Sequence, residues 1–283
     1  MLALTTTPAG DPAILLQCTS PMVYLDHWAL RRFSEDNALA SRLRGILHGR
    51  GGTLALSWLN LGEYATVSDP KQRRAAEQFV ESILPAVFCI DVDLAAVDKR
   101  ERARHPLPHA DESLAFLFIN AGQCGLNAFT AKGLFEVHDR GLASTKDRLA
   151  AIVQGRLESL RRTYSEDDVL REAVRHSNHP DAIRATTRTR LIVRTLAETF
   201  FPDLQRAITP NDGIDFLHAA IPITYCDVVL LDAGTADLVE RARRKLSTTS
   251  IKMATVFPGK GTGVDRFLDY LEQTRSGDAA RIG

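Results

Sequence analysis

Met22-Val-Tyr-Leu-Asp26 decides the fold: four mostly apolar residues that read as a buried strand and end in a carboxylate. Parallel sheets bury both faces, so their strands are near-continuous apolar runs, and open α/β sheets place ligands at the strands' carboxyl ends. Asp26 therefore stands where an active site would be anchored. A lone Asp after a strand is an ordinary turn feature, so the reading depends on whether other segments bring acids to the same edge.

Downstream, Leu39, Leu43, Ile46 and Leu47 fall at helical spacing, a crossover helix that stops at Gly49, Gly51 and Gly52. Thr53-Leu-Ala-Leu-Ser57 is a second strand, and Asn60-Leu-Gly-Glu63-Tyr64 opens a helix. Glu63 would then lie within about two turns of the strand's end. A helix over 70–84 leads through Pro85 to a third strand, Ala86-Val-Phe-Cys-Ile90, with Asp91 and Asp93 behind it. Near the other end of the chain, Thr209-Pro210-Asn211-Asp212 starts a helix: a cap residue, a proline in the first turn, an acid at the third position. That helix carries Asp215 and His218 and runs to about Thr224. Asp227-Val-Val-Leu-Leu-Asp232 is a fourth strand ending in an acid, and Ser250-Ile-Lys-Met-Ala-Thr-Val256 a fifth, with helices over 236–246 and 264–272. Strands alternating with helices predict a three-layer α/β/α fold around a mostly parallel sheet of about five strands.

Residues 94–204 offer no strand but repeated helical patterns such as Leu149, Ile152, Val153, Leu157 and Leu160. We read 96–205 as a mostly helical insertion between two halves, 21–95 and 206–283, of one α/β domain, and 1–20 as an irregular arm. The 283-residue chain is 45% hydrophobic and 25% charged, which suits a soluble globular protein rather than a disordered one. Lys plus Arg equals Asp plus Glu at 35 each, so no net charge draws the chain to nucleic acid and any basic surface must be local. Arg156, Arg161 and Arg162 form one concentration, and Arg184, Arg188, Arg190 and Arg194 another. Arg190 and Arg194 share a helix face and could track a phosphate backbone, although a solvated face interleaved with acids is the plainer reading. Cys18, Cys89, Cys124 and Cys226 are scattered without a CxxC pair, so neither a zinc ribbon nor a disulfide framework is indicated and reduced thiols in a cytosol fit best. No stretch is long and apolar enough to span a bilayer.

Four segments, taken in order, resemble the acidic motifs of the PIN-domain nucleases. They are Val23-Tyr-Leu-Asp26, then Ser57 through Asn60-Leu-Gly-Glu63, then Asn211-Asp-Gly-Ile-Asp215-Phe-Leu-His218-Ala-Ala, then Tyr225-Cys-Asp-Val-Val-Leu-Leu-Asp232. The resemblance implies a PIN-like fold with a large helical insertion. It also implies a cytoplasmic, metal-dependent endoribonuclease that cleaves phosphodiester bonds with a metal-activated water. Asp26, Asp215 and Asp232 would hold Mg²⁺ or Mn²⁺, with Glu63 as a further ligand or as the group that polarises the water. RNA would be the substrate, contacted by Arg184, Arg188, Arg190 and Arg194. The toxin members of the family leave room for an inhibitory protein partner. Asp212 reads as a helix-start acid, and His218, at i+3 from Asp215, shares its face and could contact phosphate or orient an acid. Trp28 reads as core packing rather than a base-stacking platform.

Two other motifs compete. Gly259-Lys-Gly-Thr-Gly263 looks like a phosphate loop, but its glycines do not fit GxxxxGK[ST]. Phe88-Cys-Ile-Asp91-Val-Asp93 resembles the strand-DxD signature of the haloacid-dehalogenase phosphohydrolases, which would make Asp91 a nucleophile and Asp93 its acid/base partner. That reading leaves Asp26, Glu63 and Asp215 without a role. A PIN-like module that binds RNA or protein without cutting is the non-enzymatic alternative, and retention of all four acids weighs against it.

Overall fold

A computed structural model describes residues 1–64, 66–105, 108–119, 129–135, 141–175, 186–201, 207–247 and 249–274. The first 20 residues are not an irregular arm. They form an antiparallel hairpin, β1 (Leu2–Thr6) with β2 (Pro12–Leu16), in which Leu2 stands opposite Leu16 and Leu4 opposite Ile14. The turn between them closes through Thr7 N–H to Asp11 O and Gly10 N–H to Thr7 O, and Gly10 takes a φ of 89°, open to glycine without strain. Leu2 is fully buried and its N–H donates to Pro85 O, so the hairpin is stitched to the main body.

The central sheet holds five parallel strands: β3 (Met22–Leu25), β4 (Thr53–Leu56), β5 (Val87–Cys89), β6 (Val228–Leu231) and β7 (Thr255–Pro258). Their order is β5-β4-β3-β6-β7. The last strand begins later than the apolar run predicts. Thr255 N–H, not Ser250, reaches Asp227 O beside β6, and residues 251–254 run alongside unpaired as strand.

Strand alternation divides the interior in two. Val23, Leu25, Leu54, Leu56, Val87, Cys89, Val228 and Leu230 face one layer, formed by the helices His27–Glu35, Asn37–Arg50, Pro70–Ile83 and Gly263–Gln273. Tyr24, Ala55, Phe88, Val229 and Leu231 face the other, where Leu157, Leu191, Ile192 and Leu196 from the helical middle of the chain pack beside Leu217 and Leu238. The result is a three-layer α/β/α fold, with helices Gly141–Glu166 and Arg188–Phe200 forming much of its second helical layer. Among the described residues no helix is long and apolar enough to cross a membrane.

Gly213 fixes how closely that layer sits on the helix Pro210–Ala220. A Cβ there would lie 2.5 Å from Ala150 O of Gly141–Glu166, so the two backbones meet where only glycine fits. Gly213→Ala is expected to destabilise the protein by about 1–3 kcal/mol through this clash. The helix propensity gained, about 1 kcal/mol, does not offset a backbone collision. Gly155, in Gly141–Glu166 with nothing within 4 Å, is the control. Gly155→Ala should stabilise by up to about 1 kcal/mol, and denaturant midpoints that moved the same way in both variants would refute the packing argument.

Candidate active site

From β3 the chain proceeds to β4 and β5 on one side, whereas β6 and β7 extend the sheet on the other. The order therefore reverses between β3 and β6, and the crevice outside the carboxyl ends at such a reversal is where open α/β sheets bind ligands. Asp26 follows β3 and Asp232 follows β6, so the two acids end adjacent strands at that point. Each also caps the next helix. Asp26 Oδ1 accepts from Ala29 N at 2.8 Å, and Asp232 Oδ1 accepts from Gly234 N at 2.7 Å and Thr235 N at 3.2 Å. Two helix amino termini, the positive ends of their dipoles, thus converge on the site. Asp26 Oδ2 accepts from Asp232 N at 2.6 Å, which locks the strand ends together, while Asp232 Oδ2 meets no protein donor among the described residues.

Glu63 arrives on the helix Trp58–Tyr64 after β4, and Asp215 and His218 on Pro210–Ala220. With Asp26, Asp232, His27 and Trp28 they line one cavity of about 150 Å³. The four acids singled out in the sequence therefore share one space. Trp28 does not belong to the core: it is 38% exposed at this cavity.

A buried hydrogen-bond chain, unseen in the sequence, leads to His218. Asn60 is oriented by its own bonds, Nδ2 donating to Leu25 O and Oδ1 accepting from Ser57 N, and the Ser57 hydroxyl donates to the same Oδ1 at 3.2 Å. Ser57 Oγ lies 3.1 Å from the Tyr24 hydroxyl, which lies 2.6 Å from His218 Nδ1. On its other side His218 Nε2 donates to Glu63 Oε2 at 2.7 Å. When Nδ1 donates to Tyr24 as Nε2 donates to Glu63, His218 is an imidazolium paired with Glu63 in a nearly dry site.

The electrostatics agree. Burial opposes the charge on His218, but Glu63, Asp26 and Asp215 together hold its pKa above the ordinary imidazole value. Burial likewise acts against Glu63, yet His218, then His27 and Lys146, keep its carboxyl below the usual range. Asp26 is pushed up to about 6, chiefly by burial, against the pull of its Ala29 hydrogen bond and of His218. Asp215 rises to about 7 because burial is joined by the Asp232, Glu63 and Asp26 carboxylates. His27 is lowered by burial, and its Nδ1 is shielded from solvent without a hydrogen-bond partner, 3.8 Å from Glu63 Oε2.

The other residues of interest lie elsewhere. Asp212 closes a capping box with Thr209, as its position at the helix start implies. Arg188 lies over the Tyr225 ring and donates to Lys252 O, Arg190 pairs with Asp98 at 3.0 Å, and Arg194 lies 3.5 Å from Glu198. None of these three arginines lines the acidic cavity. Arg184 falls outside the described residues. Asp91, next to the edge strand β5, is bound to Arg100 at 2.6 Å, and Asp93 caps the helix Leu94–Arg102. Neither stands at the reversal of strand order.

For a divalent cation the donor chemistry is suitable but not preassembled. Among the described residues no group of three His, Cys, Asp or Glu side chains is disposed to hold an ion directly. Mg²⁺ needs no such cage, because it keeps several waters and takes one or two carboxylates. The Asp215 carboxylate crowded by like charge, the unclaimed Asp232 Oδ2 and the orphaned His27 Nδ1 all fit a cavity that takes a hydrated cation. Comparison of the chain with family models, with curated proteins and with solved structures returns no match.

Proposed function

We propose that the chain is a PIN-like, metal-dependent endoribonuclease that uses Mg²⁺ or Mn²⁺ at Asp26, Asp215 and Asp232. The observation that carries this reading is the meeting of four acids from four elements in one cavity at the strand-order reversal. Four carboxylates held together without a cation repel one another, and Asp215, raised first by burial, is raised further by that repulsion. A cation bound there would neutralise the phosphodiester and lower the pKa of an attacking water. Asp26 and Asp232, fixed by helix caps, would hold the site's geometry. Glu63, its Oε2 paired with His218, would orient a water through Oε1.

The test is cleavage of a mixed-sequence single-stranded RNA with Mn²⁺, Mg²⁺ or EDTA, by wild type and Asp26→Asn. Cutting that needs metal and is lost in the variant supports the reading. RNA bound equally by both proteins and cut by neither would replace it with a non-catalytic RNA-binding role.

Ligand carboxylates must be ionised, so metal affinity should depend on pH. With Asp215 at about 7 and Asp26 at about 6, Mn²⁺ binding should be at least about tenfold tighter at pH 8 than at pH 6 and should release protons at the lower pH. Calorimetry in buffers of different ionisation enthalpy reads both quantities. Equal affinity at the two pH values would exclude these acids as the ligands.

A further inference from the structure

Beside the acids stands an aromatic ring on a purpose-shaped seat. Trp28 lines the same cavity as Asp26 and Asp232, yet 38% of it is exposed to solvent. Its benzo ring rests on Gly259: a Cβ at that position would lie 2.6 Å from Cζ3, 2.8 Å from Cε3 and 3.0 Å from Cη2. Any side chain there would displace the indole. Gly259 is the first residue after β7, and its N–H donates to Leu231 O at 2.7 Å, so the Gly259-Lys-Gly-Thr-Gly263 loop is pinned to the carboxyl edge of the sheet. Gly261 takes a φ of 57°, and a Cβ on Gly263 would run into Pro258 O, so glycine is required twice more to fold the loop back on itself. Lys260, between two of these glycines, is exposed.

We propose that Trp28 is a base-stacking platform and the Gly259–Gly263 loop its support, so that the site takes single-stranded nucleic acid and seats one unpaired base beside the bond that is cut. The inference rests on the nuclease reading and names the residue that seats its substrate. An indole held flat and part exposed accepts any base by its π face, but only where that base is free of a duplex stack. An exposed lysine on the supporting loop places positive charge where the flanking phosphate of such a strand would pass. The glycine-rich loop is thus not a phosphate loop of its own; its backbone gives the tryptophan its place.

The chain has two tryptophans, so Trp58→Phe leaves Trp28 as the sole indole reporter. In EDTA at low salt, a ten-nucleotide single-stranded RNA should quench Trp28 emission, and the matching duplex should bind at least about tenfold more weakly. In the full chain, Trp28→Ala should weaken single-strand binding by about 5- to 100-fold, Trp28→Phe by only a few fold, and Gly259→Ala by an amount near that of Trp28→Ala. During cleavage in Mn²⁺ the loss should appear in KM with kcat little changed, because stacking holds substrate and transition state alike. Absence of quenching, duplex binding as tight as single-strand binding, or Trp28→Ala binding within twofold of wild type would each overturn the platform. Two results separate it from the reading on which it rests. Quenching and Trp28-dependent binding without any metal-dependent cutting would keep the platform and remove the nuclease. Metal-dependent cutting with an unchanged KM in Trp28→Ala would do the reverse.

Discussion

Asp215→Asn is expected to abolish metal-dependent cleavage, by about a thousandfold or more, and at the same time to make the metal-free protein more stable at neutral pH. Loss of a carboxylate that holds the ion removes a charge interaction on which such catalysis depends. The gain in stability follows from the same side chain. Asp215 ordinarily titrates at 3.8 and in the fold at about 7, so it is partly ionised at neutral pH against burial and three neighbouring carboxylates. Removing that charge should stabilise by on the order of 2 kcal/mol, allowing for the partial exposure of the side chain, or roughly 4–8 °C in Tm. The sign with pH is fixed. Between pH 4 and 7 the folded protein binds this proton more tightly than the unfolded chain, so metal-free wild type loses stability as pH rises through that window. The Asn variant should lack the loss. Added Mn²⁺ should restore stability to wild type alone, because only a state that binds the ion gains from it. Thermal melts at pH 5 and pH 8, with and without Mn²⁺, read all of this, and an Asn variant less stable than wild type at pH 8 would mean that Asp215 is a structural acid.

Much of this site could be read from the sequence because its acids sit at ends of elements. Val23-Tyr-Leu and Val228-Val-Leu-Leu are short apolar runs that suit a buried parallel strand, and an acid directly after such a strand reaches the carboxyl edge whatever the details of packing. Glu63 and Asp215 were placed by the helices that carry them. What escaped depends on tertiary contacts that leave no periodic trace. Tyr24 looks like one more apolar strand residue, yet its hydroxyl meets His218, 194 positions away in the chain. Ser57 and Asn60 left a weak signal, since a Ser followed three residues later by an amide resembles a capping box at the start of a helix. The hairpin over residues 2–16 carried a Pro8-Ala-Gly10 turn between apolar runs that an irregular reading passed over. β7 was misplaced by several residues because an extended segment reads the same whether or not a neighbour pairs with it. Trp28 reads as core packing in the sequence, where no pattern shows that Gly259 holds it at a cavity mouth. Lys146, whose charge reaches Glu63 and His27, comes from the helical middle of the chain, whose docking onto the site no local rule specifies.

The pair formed by His218 and Glu63 should be the costliest single contact in the site to break. The His218 side chain is 4% exposed and that of Glu63 18%, so removing one partner strands the other's charge where water barely reaches. His218→Leu is therefore expected to destabilise by about 3 kcal/mol or more, which corresponds to a fall of roughly 6–12 °C in Tm. Glu63→Leu should cost less, because near pH 7 a stranded imidazole sheds its proton at little cost, whereas a stranded carboxylate, with its far lower ordinary pKa, must be driven much further to take one up. The double variant should be more stable than His218→Leu alone, since replacing a buried ion pair by apolar groups is often close to neutral. The pH dependence has two limbs. Stability from the raised His218 is present below the ordinary imidazole pKa and is lost as pH rises through its folded value, and stability from the lowered Glu63 is present above the ordinary carboxylate pKa and is lost as pH falls through its folded value. Wild type should thus carry a plateau between those limits that the double variant lacks. If the two single substitutions simply add in the double variant at pH 7, the contact is not an ion pair, and the Tyr24 hydroxyl donates to a neutral His218 instead of accepting from it.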